Sequence, residues 1–273
     1  MGPSLSPLKG GEGQRERAPV SLEQFLPANL FAVMLIFARI GSALMLLPGF
    51  GEFYVMQRYR LLLALFLSAL LTPVLAPVLP PLPTGVGALV ATVGSEVAIG
   101  LFLGSIARIL LSALDIAGTV ASLQLGLSAA QIFNPQMAQQ GTLPSVFYSI
   151  LGVLLIFVTD LHHLLLRAMV DSYGVFTPGV LPPLGDFSDM ATRGVAAAFR
   201  LGMEMAAPFV LLGTLFFVAI GLVSRLVPQL QILFVTQPLQ IVGGLLAFAF
   251  VLTAGMEWFL ESFAQQFAAL TGG

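Results

Sequence analysis

Several ionisable side chains lie inside apolar stretches of this chain: Arg39, Glu96, Arg108, Asp160, His162, His163, Arg167, Glu204 and Glu257. Each needs a partner or water, because a lone charge among hydrocarbon is costly. Glu96 and Glu204 are of a type that can carry protons across a membrane. Pairing with Arg39 or Arg108 explains them equally well, so Arg39, Glu96, Arg108 and Glu204 are expected to form buried ion pairs. The run Asp160-Leu-His162-His163 brings together groups that bind metals or relay protons. Its spacing is not that of the HExxH zinc motif, and no Cys or third clustered carboxylate supports it. The run falls late in an apolar segment, where side chains reach back to the interface. A structural or interfacial role is therefore expected, with no metal and no cofactor. No GxSxG, Walker or Gly-rich dinucleotide motif occurs, and nothing in the sequence forms a credible enzyme active site.

A second kind of chemistry is non-covalent. Between Ile116 and Thr159 there is no formal charge and no His, yet Gln124, Gln131, Gln136, Gln139 and Gln140 crowd the stretch Ser122–Gly141. On a helix, Gly118, Ser122, Gly126 and Ala130 recur every four residues and make a small-residue stripe that permits close backbone approach. Gln124, Ser128 and Gln131 fall on the opposite side. The polar side serves either as interhelical hydrogen-bonding glue or as the lining of a wet interior, since polar backbone at membrane depth is buried in protein or faces water. The pattern leaves these two readings level. A second uncharged polar block runs from Arg225 through Pro228, Gln229 and Gln231 to Gln237, Pro238 and Gln240. Its two prolines predict a bent, extended connection, which is either a plain hairpin or a docking surface for partner subunits.

The elements that position these groups are membrane helices. Of the 273 residues, 58% are hydrophobic and only 9% are charged, against about 25% charged in a soluble domain. Mean hydropathy is +0.98. The absence of Cys excludes disulfides and thiolate metal sites. A net charge of −2 gives no basic surface for nucleic acid. The fold class is all-α, an integral membrane protein with about six hydrophobic regions: Leu22–Leu47, Arg60–Val78, Val86–Ala113, Pro144–Met169, Val195–Val223 and Leu239–Leu260. Residues 1–20 read as a disordered polar tail rather than a signal peptide, 21–263 as one helical domain, and 264–273 as a short tail.

Three signals depart from a plain six-span bundle. The fifth region extends from Arg193 to Arg225, roughly 50 Å as one helix, and Pro208 is expected to kink or split it. The segment from Asp115 to Ile132 is helical in pattern but interrupted in polarity. The distribution of Arg58, Arg60 and Arg225 favours cytoplasmic first and fifth loops, whereas the cations of the amino-terminal tail oppose it. Gly100-Leu-Phe-Leu-Gly104 is a GxxxG match, a common mark of close helix packing.

Taken in order, these residues resemble a family. Arg39, Pro48-Gly-Phe-Gly, Arg58-Tyr-Arg60 and Glu96-Val-Ala-Ile-Gly100 are followed by Ala117-Gly-Thr-Val-Ala-Ser-Leu-Gln124-Leu-Gly-Leu-Ser128 and Asn134-Pro135. Then come Asp171-Ser172-Tyr173, Pro178-Gly179, Gly221-Leu-Val-Ser-Arg225-Leu-Val-Pro-Gln229 and Pro238-Leu-Gln-Ile. The ordered set resembles the FliR/SctT family of type III export-gate subunits over about residues 25–260. It departs at Asp160-Leu-His162, where an Asn and a Gly are expected. The resemblance implies tilted, kinked helical hairpins in an assembly raised out of the bilayer around a narrow channel. It implies a bacterial inner-membrane location in the flagellar basal body, FliP-like and FliQ-like partner subunits, an FlhB-like switch protein, contact with lipid, and unfolded export substrates. It also implies that Gly118, Ser122, Gln124, Gly126, Ser128 and Gln131 plug or line the channel, and that Arg225, Pro228, Gln229 and Pro238 shape subunit contacts. The injectisome SctT-type subunit is the alternative use. A proton-coupled transporter, with Glu96, Glu204 and Asp160 as its proton or ion sites, is the rival class, but its halves would be expected to show an internal repeat, and none is evident.

Overall fold

Long apolar runs with few breakers give long helices, and the computed structural model of the chain describes residues 22–128, 141–226 and 232–271. All the helices among them are α-helices, save one 3-10 turn: α1 (Leu22–Leu46), α2 (Gln57–Leu75, continued by a 3-10 turn over Ala76–Val78), α3 (Val86–Gln124), α4 (Leu143–Val158), α5 (Leu161–Val175), α6 (Leu184–Leu226) and α7 (Ile232–Thr271). Five of these helices are long and apolar enough to cross a membrane, or six if the bent pair α4–α5 counts as one span. The chain is a multi-pass membrane protein.

Helix α3 is the axis of the molecule. Helices α1, α4, α6 and α7 all pack on it. Its contact with α1 is close because the GxxxG glycines allow it: a Cβ on Gly100 would run into the Arg39 carbonyl, and one on Gly104 would lie 2.6 Å from the Ala43 carbonyl oxygen. The core then assembles from Ile36, Ile40 and Leu44 of α1, Ala107, Leu110 and Leu114 of α3, and Phe259 and Phe263 of α7.

The expected elements need four corrections. The third region does not end at Ala113; it continues as helix to Gln124, because Ala113, Ala117 and Ala121 keep a buried apolar face in register. The fourth region is two helices bent by 76° at Thr159–Asp160, where Asp160 adopts a left-handed conformation (φ 59°) that a continuous helix excludes. The fifth is one helix of 43 residues that runs through Pro208 without splitting; in membrane helices neighbouring groups re-satisfy the backbone that a proline frees. The sixth extends in both directions. Pro238 lies inside α7, and the expected tail after 263 is helix to Thr271, with Phe263 and Phe267 buried and stacked at 6.1 Å. The expected tail at 1–20 and the Gln-rich segment 129–140 lie outside the described residues.

Candidate functional site

Helix α3 stops in a Schellman motif. The Leu127 amide donates to the Ser122 carbonyl at 3.1 Å and the Gly126 amide to the Leu123 carbonyl at 3.4 Å. This closure puts the residue after the helix in the left-handed region, and Gly126 takes it with φ 72°. Gly126 therefore leaves the small-residue stripe to which helical spacing assigned it. Gly118 and Ser122 are buried, and Ala130 lies outside the described residues. Gly118 faces the first turn of α4, where a Cβ would overlap the Ser145 backbone. The Thr142 hydroxyl donates to the Gly118 carbonyl at 3.4 Å, and Thr142 and Ser145 cap α4 reciprocally.

The end of α3 is then held from across the molecule. Gln240 Nε2 donates to the Gln124 carbonyl at 2.8 Å, and Gln237 Nε2 donates to the Gly126 carbonyl at 3.0 Å. Both glutamines stand in the first turns of α7, separated from α3 by more than a hundred residues of chain. The side chain of Gln124 packs against Gly213 of α6, where a Cβ would push the Gln124 amide aside. Gln124, Leu125, Phe209, Gly213, Phe216, Gln240, Gly243 and Gly244 surround a cavity of ≈ 330 Å³ between α3, α6 and α7. The α3 terminus is thus an uncharged helix end, seated on glycines and latched by two neutral amides. Ser128, half-buried, closes the turn, and Gln131 lies outside the described residues.

The second polar centre is the Arg39–Glu96 pair, fully buried on both sides. Arg39 Nε donates to Glu96 Oε2 at 2.7 Å, and Nη2 donates to Oε1 at 3.2 Å, a side-on fork that suits a guanidinium. Nη1 reaches the Ser172 carbonyl at 3.1 Å and its hydroxyl at 3.2 Å, while Nη2 also meets the Phe176 carbonyl at 3.3 Å. The Tyr173 ring sits 4.0 Å below the guanidinium carbon. Glu96 Oε1 accepts a further bond from the Gly179 amide at 2.7 Å. One charge pair therefore ties α1, α3 and the carbonyl end of α5 together. Every part of it is hydrogen-bonded, as a buried pair requires.

Arg108 and Glu204, expected in buried pairs, are not buried. Arg108 bonds Glu52 at 3.1 Å with 47% of its side chain exposed. Glu204 bonds Arg200 one turn before it, on an exposed face of α6. Long side chains near the rim of a helix bundle find partners without entering the core. Of the expected subunit contacts, Arg225 is exposed in the last turn of α6, Pro238 is exposed in α7, and Pro228 and Gln229 lie outside the described residues. The partners Ser172, Tyr173 and Gly179 of the charge pair had no role assigned from sequence. The available signal was that a lone Arg late in an apolar run must collect carbonyls as well as its carboxylate.

A family model settles the relationship, matching residues 30–266 under the description "Bacterial export proteins, family 1". The chain belongs to this family. It is 38% identical over 231 residues to the flagellar biosynthetic protein FliR of Caulobacter vibrioides, covering 84% of this chain and 92% of that one. It is 30% identical over 213 residues to the protein of the same name from Bacillus subtilis, covering 77% and 82%. The Aquifex aeolicus protein of that name is 29% identical over 233 residues, covering 83% and 86%. The bacterial export family match spans both polar centres, the latched α3 end and the Arg39–Glu96 pair.

Proposed function

We propose that this chain is a subunit of the flagellar type III export gate in the bacterial inner membrane. There it helps to form and to plug the channel that passes unfolded flagellar proteins. It works beside FliP-like and FliQ-like subunits and an FlhB-like switch protein. The curated relatives carry a flagellar name, which favours flagellar over injectisome use. A proton-transporter reading loses support at two of its three sites: Glu96 is already satisfied by Arg39 and Gly179, and Glu204 is exposed and paired.

The observation that carries the plug reading is the latched terminus of α3. A gate element must be held shut weakly enough to open. Two amide-to-carbonyl hydrogen bonds contribute roughly 0.5–1.5 kcal/mol each. Together they amount to a few kcal/mol, the scale over which a two-state element changes population. The materials are also suited to the cargo. A charged lining traps opposite charges and an apolar one traps apolar side chains, whereas amides, hydroxyls and glycines hold neither.

The test is the double substitution Gln237→Leu with Gln240→Leu. Its expected outcome is a gate complex that assembles with normal composition but renders the membrane permeable to small ions. An assembled double variant as tight as wild type would overturn the plug assignment.

A further inference from the structure

We propose that Asp160, His162 and His163 form a binding site for a divalent transition-metal ion of the zinc class at the bend between α4 and α5. One ligand atom from each of the three comes within 4.8 Å of the others. Three details set this cluster apart from a chance grouping. Asp160 is the N-cap of α5, yet its side chain caps no amide, which is the ordinary role of an Asp there. It turns instead to His163, with Oδ1 3.5 Å from Nδ1. That separation is long for a hydrogen bond but close to the about 3.4 Å between ligands of a tetrahedral zinc at about 2.0–2.1 Å bonds. Finally, Nδ1 of His162 is shut off from solvent and has no hydrogen-bond partner, a cost that a bound cation relieves.

Packing orients one of the three ligands. The His162 ring lies on Phe157 at 5.0 Å and 22° and against the His163 ring at 4.1 Å, so its orientation is set by packing. Asp160 and His163 are exposed, leaving the fourth position to water. The nearest cation along α5, Arg167, pairs with Asp171 one turn further on and does not neutralise Asp160. Two imidazoles and a carboxylate suit zinc, nickel or cobalt rather than magnesium or calcium. A cation here holds Asp160 in its left-handed conformation, and with it the 76° bend that aims α5 at the Arg39–Glu96 pair.

The chain has only two His and no Cys, so any imidazole-ligated metal signal from tag-free protein must come from this site. The experiment titrates the full chain in detergent micelles with Zn²⁺ against a chromophoric chelator and records the visible spectrum with Co²⁺. The expected result is one equivalent bound by wild type, with the intense d–d bands of a four-coordinate Co²⁺ centre. At least a tenfold weaker Zn²⁺ binding is expected in His163→Ala, and the Co²⁺ bands should disappear in the His162→Ala, His163→Ala double variant. His163 is largely exposed, so the single variant keeps its fold, which far-UV circular dichroism checks. Zn²⁺ binding by wild type no tighter than by His163→Ala, or a Co²⁺ spectrum typical of six oxygen ligands, overturns the proposal.

Discussion

Arg39 has few alternatives to the place it occupies. Its guanidinium is always charged and fully buried, so each donor must be met within the protein. Removing one partner of such a pair leaves the other charged and buried, at about 3–5 kcal/mol, whereas replacing both by apolar groups of similar volume is far milder. Arg39→Leu and Glu96→Leu should each destabilise the chain by that amount. The double variant Arg39→Leu, Glu96→Leu should recover most of the loss, because the stranded charge is gone. Thermal unfolding of the four proteins in micelles measures this. Equal melting temperatures for the double variant and the worse single variant would show that the pair acts through something other than charge compensation. The need for such a pair was legible in the sequence, where each charge stands alone in an apolar run. Their choice of each other over Arg108 and Glu204 was not, since it depends on the depth at which each residue meets its neighbours.

At the scale of the element, close approach decides the packing. Gly118 allows α3 to lie directly on the first turn of α4, where Pro144 and Ser145 present backbone rather than long side chains. Gly118→Val would drive these backbones apart, and overpacking of this kind costs roughly 1–3 kcal/mol. The expected readout is a lower melting temperature with the helical content retained. An unchanged melting temperature would mean that the α3–α4 contact is looser than the backbone approach at Ser145 indicates. The four-residue spacing of Gly118 and Ser122 made this contact readable from sequence. The same spacing misassigned Gly126, because periodicity does not reveal where a helix ends: the stripe continues on paper while the chain turns left-handed. Likewise, proline content exaggerated the breaks at Pro208 and Pro238, and the true break, Thr159–Asp160, carried neither Pro nor Gly. The latch from Gln237 and Gln240 was hidden for another reason. Hydrogen bonds between residues 111 and 116 positions apart leave no periodic trace in one sequence.

At the scale of the molecule, length and exposure point outward. Helices α3, α6 and α7 have 39, 43 and 40 residues, roughly 58–64 Å each, about twice a ~30 Å hydrocarbon core. Of an 18-residue apolar window in each, only 17% is buried within the chain in α6 and 11% in α7. On α6, Leu211, Leu215, Val218 and Leu222 are all more than half exposed, and their spacing of four, three and four residues puts them on one stripe that ends beside Arg225. Lipid and a neighbouring helix are both apolar, so burial alone does not distinguish them. Alanine does. It remains comfortable in lipid, but it empties the holes into which a packed partner helix fits, and tightly packed interfaces lose a few kcal/mol for each truncated Leu. If the stripe seats a gate subunit, Leu215→Ala with Leu222→Ala should leave insertion and the α1–α3 core intact while recovery of FliP-like and FliQ-like chains in pull-downs falls at least severalfold. Undiminished recovery would assign the stripe to lipid and move the subunit contact toward the polar end of α6, where Arg225 stands.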